Sequence, residues 1–364
     1  VEHEDVANTC LDLLTLCLLP GVGPRTVREL ARRGPLATGV LARPEDHADL
    51  LPEPARRLIA SGAGARRARD EADAAARLGF SLVGQDDADY PALLRYSFDP
   101  PPVLYVKGKV PSFSEPSAVA LVGSRSASAK GRALARGMAA ELAAAGFVVV
   151  SGLARGVDTA AHEGALQAKG TTVAVLGSAL DRLYPPENAG LAERIAASGT
   201  VISEFPLGTA PLPGHFPRRN RVIAALSRGT VVVEAAARSG ALITARFALE
   251  EGREVMAVPG HPGDRGAEGT NALIRDGAAL VRAAADVAFE LGVTLPGEGT
   301  LDGPVGGGLL GALRLDHPLS LDELCARIGR PAPELLAELG LLEVEARVKR
   351  LAGGLYLRIS PERV

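Results

Sequence analysis

The chain has 364 residues, 47% of them hydrophobic and 23% charged, with a net charge of −3 and a pI near 6.1. That is an ordinary globular composition, long enough for two or three domains and with no run near the roughly 18 apolar residues of a membrane span. The start VEHEDVANTC lacks a signal-peptide layout, and the three cysteines (Cys10, Cys17, Cys325) include no CxxC pair; free thiols in a reducing, cytoplasmic setting are expected.

Residues 8–78 read as short helices broken by turns: LDLLTLCLLPGVGPRTVRELARRG, then PEPARRLIASGA, then an Arg/Ala/Asp-rich helix up to Leu78. Apolar residues recur there at three- and four-residue spacings. FSLVG and PPVLYVKG follow as two short β-like runs. From Ser117 the rhythm changes. VALVG (119–123), FVVVS (147–151), TTVAVLG (171–177), TVISE (200–204), GTVVVEA (229–235) and REVMAVPG (253–260) are buried-strand runs. Helical stretches over about 129–145, 157–168, 188–198 and 241–251 separate them. This alternation predicts an α/β domain with a doubly wound, Rossmann-like parallel sheet, spanning 79–291. Residues 292–312 are rich in Gly and Pro and read as a linker. Residues 313–364 give helix, turn, helix and a Gly-Gly hairpin, the outline of a winged helix, with capping-box spacing at Ser320 and Glu323.

Charge is unevenly spread: residues 1–119 carry −3, 120–225 carry +4 and 226–364 carry −4. The basic excess falls beside turns that follow strands, where ligands of open α/β sheets bind. These turns are Gly123-Ser124-Arg125-Ser126, Ser151 to Gly156 and AAARSGALIT (235–244). Glycines there let the backbone approach a ligand, helix N-termini attract anions, and Arg125 and Arg155 offer bidentate phosphate contacts. The stretch FPRRNRVIAALS (216–227) reads as a helix starting at Pro217, with Arg218, Arg219, Asn220 and Arg221 in its first turn. Arginines there oppose the helix dipole and make sense if an anion shares the spot. Phe216 offers a face for stacking a base. The first turn is neither GxGxxG nor GxxxxGK[ST], so ATP hydrolysis is unsupported, and a mononucleotide pocket and a polynucleotide groove both stay open. Asp158 and His162, four apart, suit a capping Asp and a structurally bonded His better than a catalytic pair. His215 and His261 lack metal-ligand spacing, and no metal or cofactor is expected. Glu234 suits either catalysis or bonding of loop amides.

VGSR (122–125), SGLARGVDTAAHEGAL (151–166), YPPEN (184–188), SEFPLG (203–208), FPRRNRVIAALS, VVEAAARSGALITA (232–245) and GREVMAVPG (252–260) occur in an order and spacing that resembles the DNA-processing protein A (DprA/Smf) family. YPALLRYSFDPPPVLYVKG (90–108) extends the resemblance upstream; Ala241 stands where a serine is common. The resemblance implies a SAM-like helical domain over 1–78, the Rossmann-like domain, and a winged helix that varies among members. It implies a homodimer, without known catalysis, that binds and protects incoming single-stranded DNA and loads the RecA recombinase onto it during natural transformation. The implied DNA pocket takes Arg125, Arg155, Phe216, Arg218, Asn220, Arg221, Ser239, Gly240 and Thr244. The chemistry of the turns adds Gly123, Ser124 and Gly152. Substitution of Arg125 or Arg221 is expected to weaken strand binding and leave the fold intact.

Two other readings belong to different classes. One is a free-nucleotide sensor or a nucleoside-monophosphate hydrolase of the lysine-decarboxylase-like fold; GTVVVEAAARSG lacks the paired glycines of that group's PGGxGTxxE signature. The other is an architectural hub, which leaves the arginine cluster unexplained. LPGVGPRT (19–26) looks like one helix-hairpin-helix turn, weak alone. The presumed recognition helix of the winged helix, 333–346, carries Glu334, Glu338, Glu343 and Glu345 with no basic residue. A phosphate-lined groove would repel it, which favours a protein-contact role.

Overall fold

Residues 2–111, 118–293, 295, 308–313, 319–345, 347–351 and 354–358 are described by the structure, a computed structural model. The chain forms two compact units, Val1–Val293 and Thr294–Val364.

In the first unit, four helices come first: α1 (Glu2–Cys17), α2 (Pro24–Arg32), α3 (Glu53–Ala60) and α4 (Ala63–Arg77). The strands are β1 (Ser81–Gly84), β2 (Val103–Gly108), β3 (Val119–Val122), β4 (Val149–Ser151), β5 (Thr172–Val175), β6 (Thr200–Ser203), β7 (Gly229–Val232), β8 (Glu254–Ala257) and β9 (Ala279–Leu280). They form one sheet in the order β1-β2-β6-β5-β4-β3-β7-β8-β9. The strands from β3 onward pair in parallel, with Val119 opposite Val149 on one side and Gly229 on the other. β2 runs antiparallel to both β6 and β1. All four residues of β3 are buried, as an apolar run covered on both faces requires. The helices between and after the strands are α5 (Ala92–Arg95), α6 (Ala129–Ala144), α7 (Val157–Gln167), α8 (Ala189–Ser198), α9 (His215–Ala225), α10 (Gly240–Glu250), α11 (Glu268–Arg275) and α12 (Ala284–Glu290). The doubly wound sheet expected from the alternation is present.

The two-residue period of β2 sends Val103 and Tyr105 to one face of the sheet and Leu104 and Val106 to the other. The first face carries a core that also contains Leu13, Leu14 and Leu16 of α1, Val27 and Leu30 of α2, and Ala174, Leu176 and Val201 of the sheet. The second face carries Val222, Ile223 and Leu226 of α9 and its end, with Ala241, Ala245 and Ala248 of α10. Residues 1–78 are therefore not a separately packed domain. They share one core with the strands.

The second unit contains α13 (Gly308–Ala312), β10 (Leu319–Ser320), α14 (Leu321–Ile328), α15 (Ala332–Val344), β11 (Val348–Leu351) and β12 (Leu355–Arg358). Its antiparallel sheet has the order β10-β12-β11. Leu309, Leu313, Leu324, Leu335, Leu339 and Tyr356 make its core. The capping box is formed: Glu323 N donates to Ser320 Oγ at 3.3 Å and Ser320 N to Glu323 Oε2 at 2.7 Å. The linker expected over 292–312 lies largely outside the described residues. Its last five residues are instead α13, whose Leu309 and Ala312 are buried in this core.

Candidate functional site

Successive crossovers carry the chain from β3 outward through β4, β5 and β6, and then back to β7 on the other side of β3. The loops after β3 and β7 thus diverge, leaving a crevice at the carboxyl edge of the sheet. A cleft of about 560 Å³ opens there, lined by Gly123, Arg125, Ala154, Asp158, Tyr184, Phe216, Arg219, Asn220, Ser239, Gly240, Ile243 and Thr244 among others. A narrow extension beside it takes in Gly152 and Arg155.

The loops after β3 and β4 touch. Gly156 has a φ of +80°, and a Cβ on it would lie 2.2 Å from the Ser124 carbonyl oxygen, so a side chain is excluded. Ser124 serves this turn instead of facing the cleft: its N–H donates to the Glu234 carbonyl at 2.7 Å, and its Oγ accepts from Ser126 N at 3.2 Å. Glu234 itself bonds a loop amide, accepting from Ser128 N at 3.1 Å and Ser128 Oγ at 3.0 Å.

Arg219, only 3% exposed, makes the floor. Its Nη1 donates to the carbonyls of Gly152, at 2.6 Å, and Val175. Asp158, also buried, accepts from the amides of Gly152 at 3.1 Å and Ala154 at 3.3 Å. Burial pushes the Asp158 carboxyl up, against the pull of Arg219. Burial likewise lowers the Arg219 guanidinium to about 10, with Asp158 opposing and Arg125 adding to the fall. It stays cationic at neutral pH. A Cβ at Gly152 would come 2.5 Å from Arg219 Nη2, so this glycine makes room for the buried cation.

Above the floor, two neighbouring rings lie between two cations. The Arg125 guanidinium lies 4.8 Å from the centroid of Phe216, and the Phe216 and Tyr184 centroids are 5.8 Å apart. Arg155 sits 5.9 Å from the Tyr184 ring and pairs with Glu187, which keeps the Arg155 pKa raised. On the far wall, Asn220 Nδ2 donates to the Gly240 carbonyl at 3.2 Å, tying α9 to the start of α10. Ser239 caps α10 by accepting from Ala241 N, and Thr244 lies buried one turn on.

Gly123, Arg125, Gly152, Arg155, Phe216, Asn220, Ser239, Gly240 and Thr244 are thus gathered at the cleft, but Arg218 and Arg221 are not. α9 begins at His215 rather than Pro217. Its period turns Phe216, Arg219, Asn220 and Ile223 toward the cleft and Arg218 and Arg221, three apart, to another face. There both bond Glu204 Oε2, at 2.7 and 2.6 Å, and Arg221 also reaches Asp99 at 3.2 Å. The Glu204 side chain is 3% exposed and Arg221 8%. Arg221 is a buried structural cation, not a surface ligand.

Arg219, Tyr184 and Asp158 are among the cleft residues outside the binding set expected from the sequence. The i, i+3, i+4, i+7 spacing from Phe216 contained the signal for Arg219. Asp158 and His162 do not bond each other: His162 Nδ1 pairs with Thr172 Oγ1 at 2.7 Å. His215 stacks on Phe205 at 4.4 Å, and His261 Nδ1 accepts from Gly263 N. Among the described residues no group of three or more His, Cys, Asp or Glu is placed to hold a metal.

The family model for DNA recombination-mediator protein A matches residues 81–292, and that for the DprA winged helix domain matches 304–354. The chain belongs to the DNA recombination-mediator protein A (DprA/Smf) family. Protein Smf of Escherichia coli (strain K12) is 39% identical over 290 residues, covering 76% of this chain and 77% of that one. The DNA processing protein DprA of Streptococcus pneumoniae (strain ATCC BAA-255 / R6) is 45% identical over 215 residues, 58% of this chain and 73% of that one. Among solved structures, DNA processing protein A from Streptococcus pneumoniae superposes with a TM-score of 0.63 at 36% identity, over 76% of this chain and 95% of that one. DNA processing protein A from Helicobacter pylori, described for its single-stranded DNA binding mode, gives 0.53 at 30% identity, over 58% and 95%. The cleft lies within the matched region.

Proposed function

We propose that the cleft binds single-stranded DNA, and that the protein mediates recombination by protecting the strand and passing it to RecA during natural transformation. It does so in the cytoplasm, as a homodimer, without catalysis and without a cofactor. The carrying observation is the Arg125–Phe216–Tyr184–Arg155 series over the buried Arg219. Exposed guanidinium groups beside half-buried rings suit phosphates beside unstacked bases, a combination that a duplex does not offer. The homologue from Helicobacter pylori, with its described single-strand binding mode, supports the same reading. Among the described residues no helix is long and apolar enough to cross a membrane.

The test is fluorescence anisotropy of a labelled oligo-dT across a salt series, with duplex DNA and nucleoside monophosphates as competitors. Tight, salt-sensitive binding that monophosphates do not displace is expected. A second reading, a free-nucleotide site, draws on the cleft's volume of about 560 Å³, which is ample for one nucleotide. Efficient displacement by a monophosphate, with weak strand binding, would decide for it. RecA transfer is read separately, as faster RecA nucleation on a strand already carrying this protein.

A further inference from the structure

The helix α15 has two apolar faces and needs only one for its core. At about 100° per residue, Leu335, Leu339 and Leu342 fall on one stripe, and all three are buried. On the far side Leu336, Gly340, Pro333, Val344, Ala337 and Leu341 fill a continuous arc of about 140°, and each is exposed. Leu341 is 68% exposed and Val344 87%, among the most exposed large apolar side chains described. At the middle of the arc, a Cβ on Gly340 would meet nothing within 4 Å, which leaves a shallow place where another backbone can approach.

Carboxylates border this arc on both sides. By the same spacing Glu343 lies along one edge, and Glu334, Glu338 and Glu345 along the other. α15 holds no basic residue. Arg330 reaches Glu334 at 3.2 Å and Glu338 at 2.6 Å, and Arg347 reaches Glu345 at 3.5 Å. Such exposed pairs are weak and exchange readily with a competing cation. An apolar stripe about 20 Å long, walled by acids, is the complement of a helix whose apolar ridge is flanked by Lys and Arg. A nucleic acid would set phosphates against these carboxylates. A second copy of α15 would set carboxylate against carboxylate.

We propose that this face of α15 docks a basic amphipathic helix of another protein. The winged helix of this chain is then a helix-docking face, not a reader of a DNA groove. Its partner presents apolar residues at i, i+3, i+4 and i+7 with cations beside them. The docking is modest in area and sensitive to salt, as a transient contact would be.

The probe is a fluorescein-labelled Leu/Lys peptide of about five helical turns, with Leu at helical spacing, titrated with the full chain. A scrambled peptide of the same composition controls for simple charge attraction. The patterned peptide is expected to bind at least about tenfold more tightly than the scrambled one. The pair Leu341→Ser and Val344→Ser, both at the surface, should erase that preference, whereas Leu249→Ser, at an exposed apolar site on α10, should keep it. Equal binding of the two peptides, or a preference that survives the double substitution, overturns the proposal. So does a double substitution that leaves the peptide untouched but alters sedimentation or duplex binding, which would give the face to a second copy or to DNA. Oligo-dT affinity should not move in any of these variants, so failure here is separable from failure of the cleft.

Discussion

Arg219 and Arg221 stand two residues apart in α9, both buried, and do different work. Arg219 is held by carbonyl groups and keeps its charge at the cleft floor, while Arg221 is consumed by Glu204 and Asp99. Arg221→Ala should therefore unfold the protein more easily, by about 1.5–3 kcal/mol in urea titration, since the buried Glu204 keeps Arg218 but loses one of its two arginine partners. Strand affinity of the folded fraction should be little changed. Arg125→Ala should do the reverse, weakening oligo-dT binding by roughly tenfold in anisotropy with the melting point preserved, as loss of an exposed charge-assisted contact implies. The sequence showed that the stretch was unusually cationic. It did not show which cations were already neutralised, because Glu204 and Asp99 are distant in the chain and meet α9 only through the fold. His162 adds a pH dependence. Thr172 Oγ1 gives its proton to the Val149 carbonyl, so His162 Nδ1 must donate and its buried Nε2 is left without a partner. Burial, with Arg219 adding, lowers its pKa from 6.5 to about 3. The unfolded chain then binds the extra proton between those values, so stability should fall as pH drops from about 6.5 toward 3. His162→Gln should flatten that limb of a urea-midpoint series.

At the scale of elements, long periodic segments were legible and short ones were not. The six apolar runs from VALVG to REVMAVPG became β3 to β8, with ends trimmed by one to three residues. The two-residue β9 and the five-residue α13 have too little length to display a period. α13 was hidden further by a surrounding stretch rich in Gly and Pro. Phe216 lies at the cleft as part of α9, which begins two residues before the start expected at Pro217. The capping box at α14 was readable from two residues alone, since both partners lie in one turn. Ser320→Ala should lower the unfolding free energy of the second unit by about 1 kcal/mol. Strand binding should be unaffected in the same sample.

For the whole molecule, the division that matters falls near residue 293 and not near 78. A chain ending at Val293 should bind oligo-dT as the full chain does, within about twofold, because the entire cleft precedes that point. Comparable loss of affinity on truncation would place strand contacts in the second unit. The earlier boundary could not be read from composition: the helices before residue 78 look like a bundle, and only the alternation of Val103 and Tyr105 in β2, seen together with their neighbours, reveals what those helices cover. That shared core also has a consequence for synthesis. The apolar flank of α1 leaves the ribosome long before Ala174, Leu176 and Val201, which complete the cluster it belongs to. At 5–20 residues per second the wait is on the order of ten seconds or more. During it Leu13, Leu14 and Leu16 have only the other early helices to lie against, which makes the nascent first unit a natural client for a chaperone that binds apolar helices.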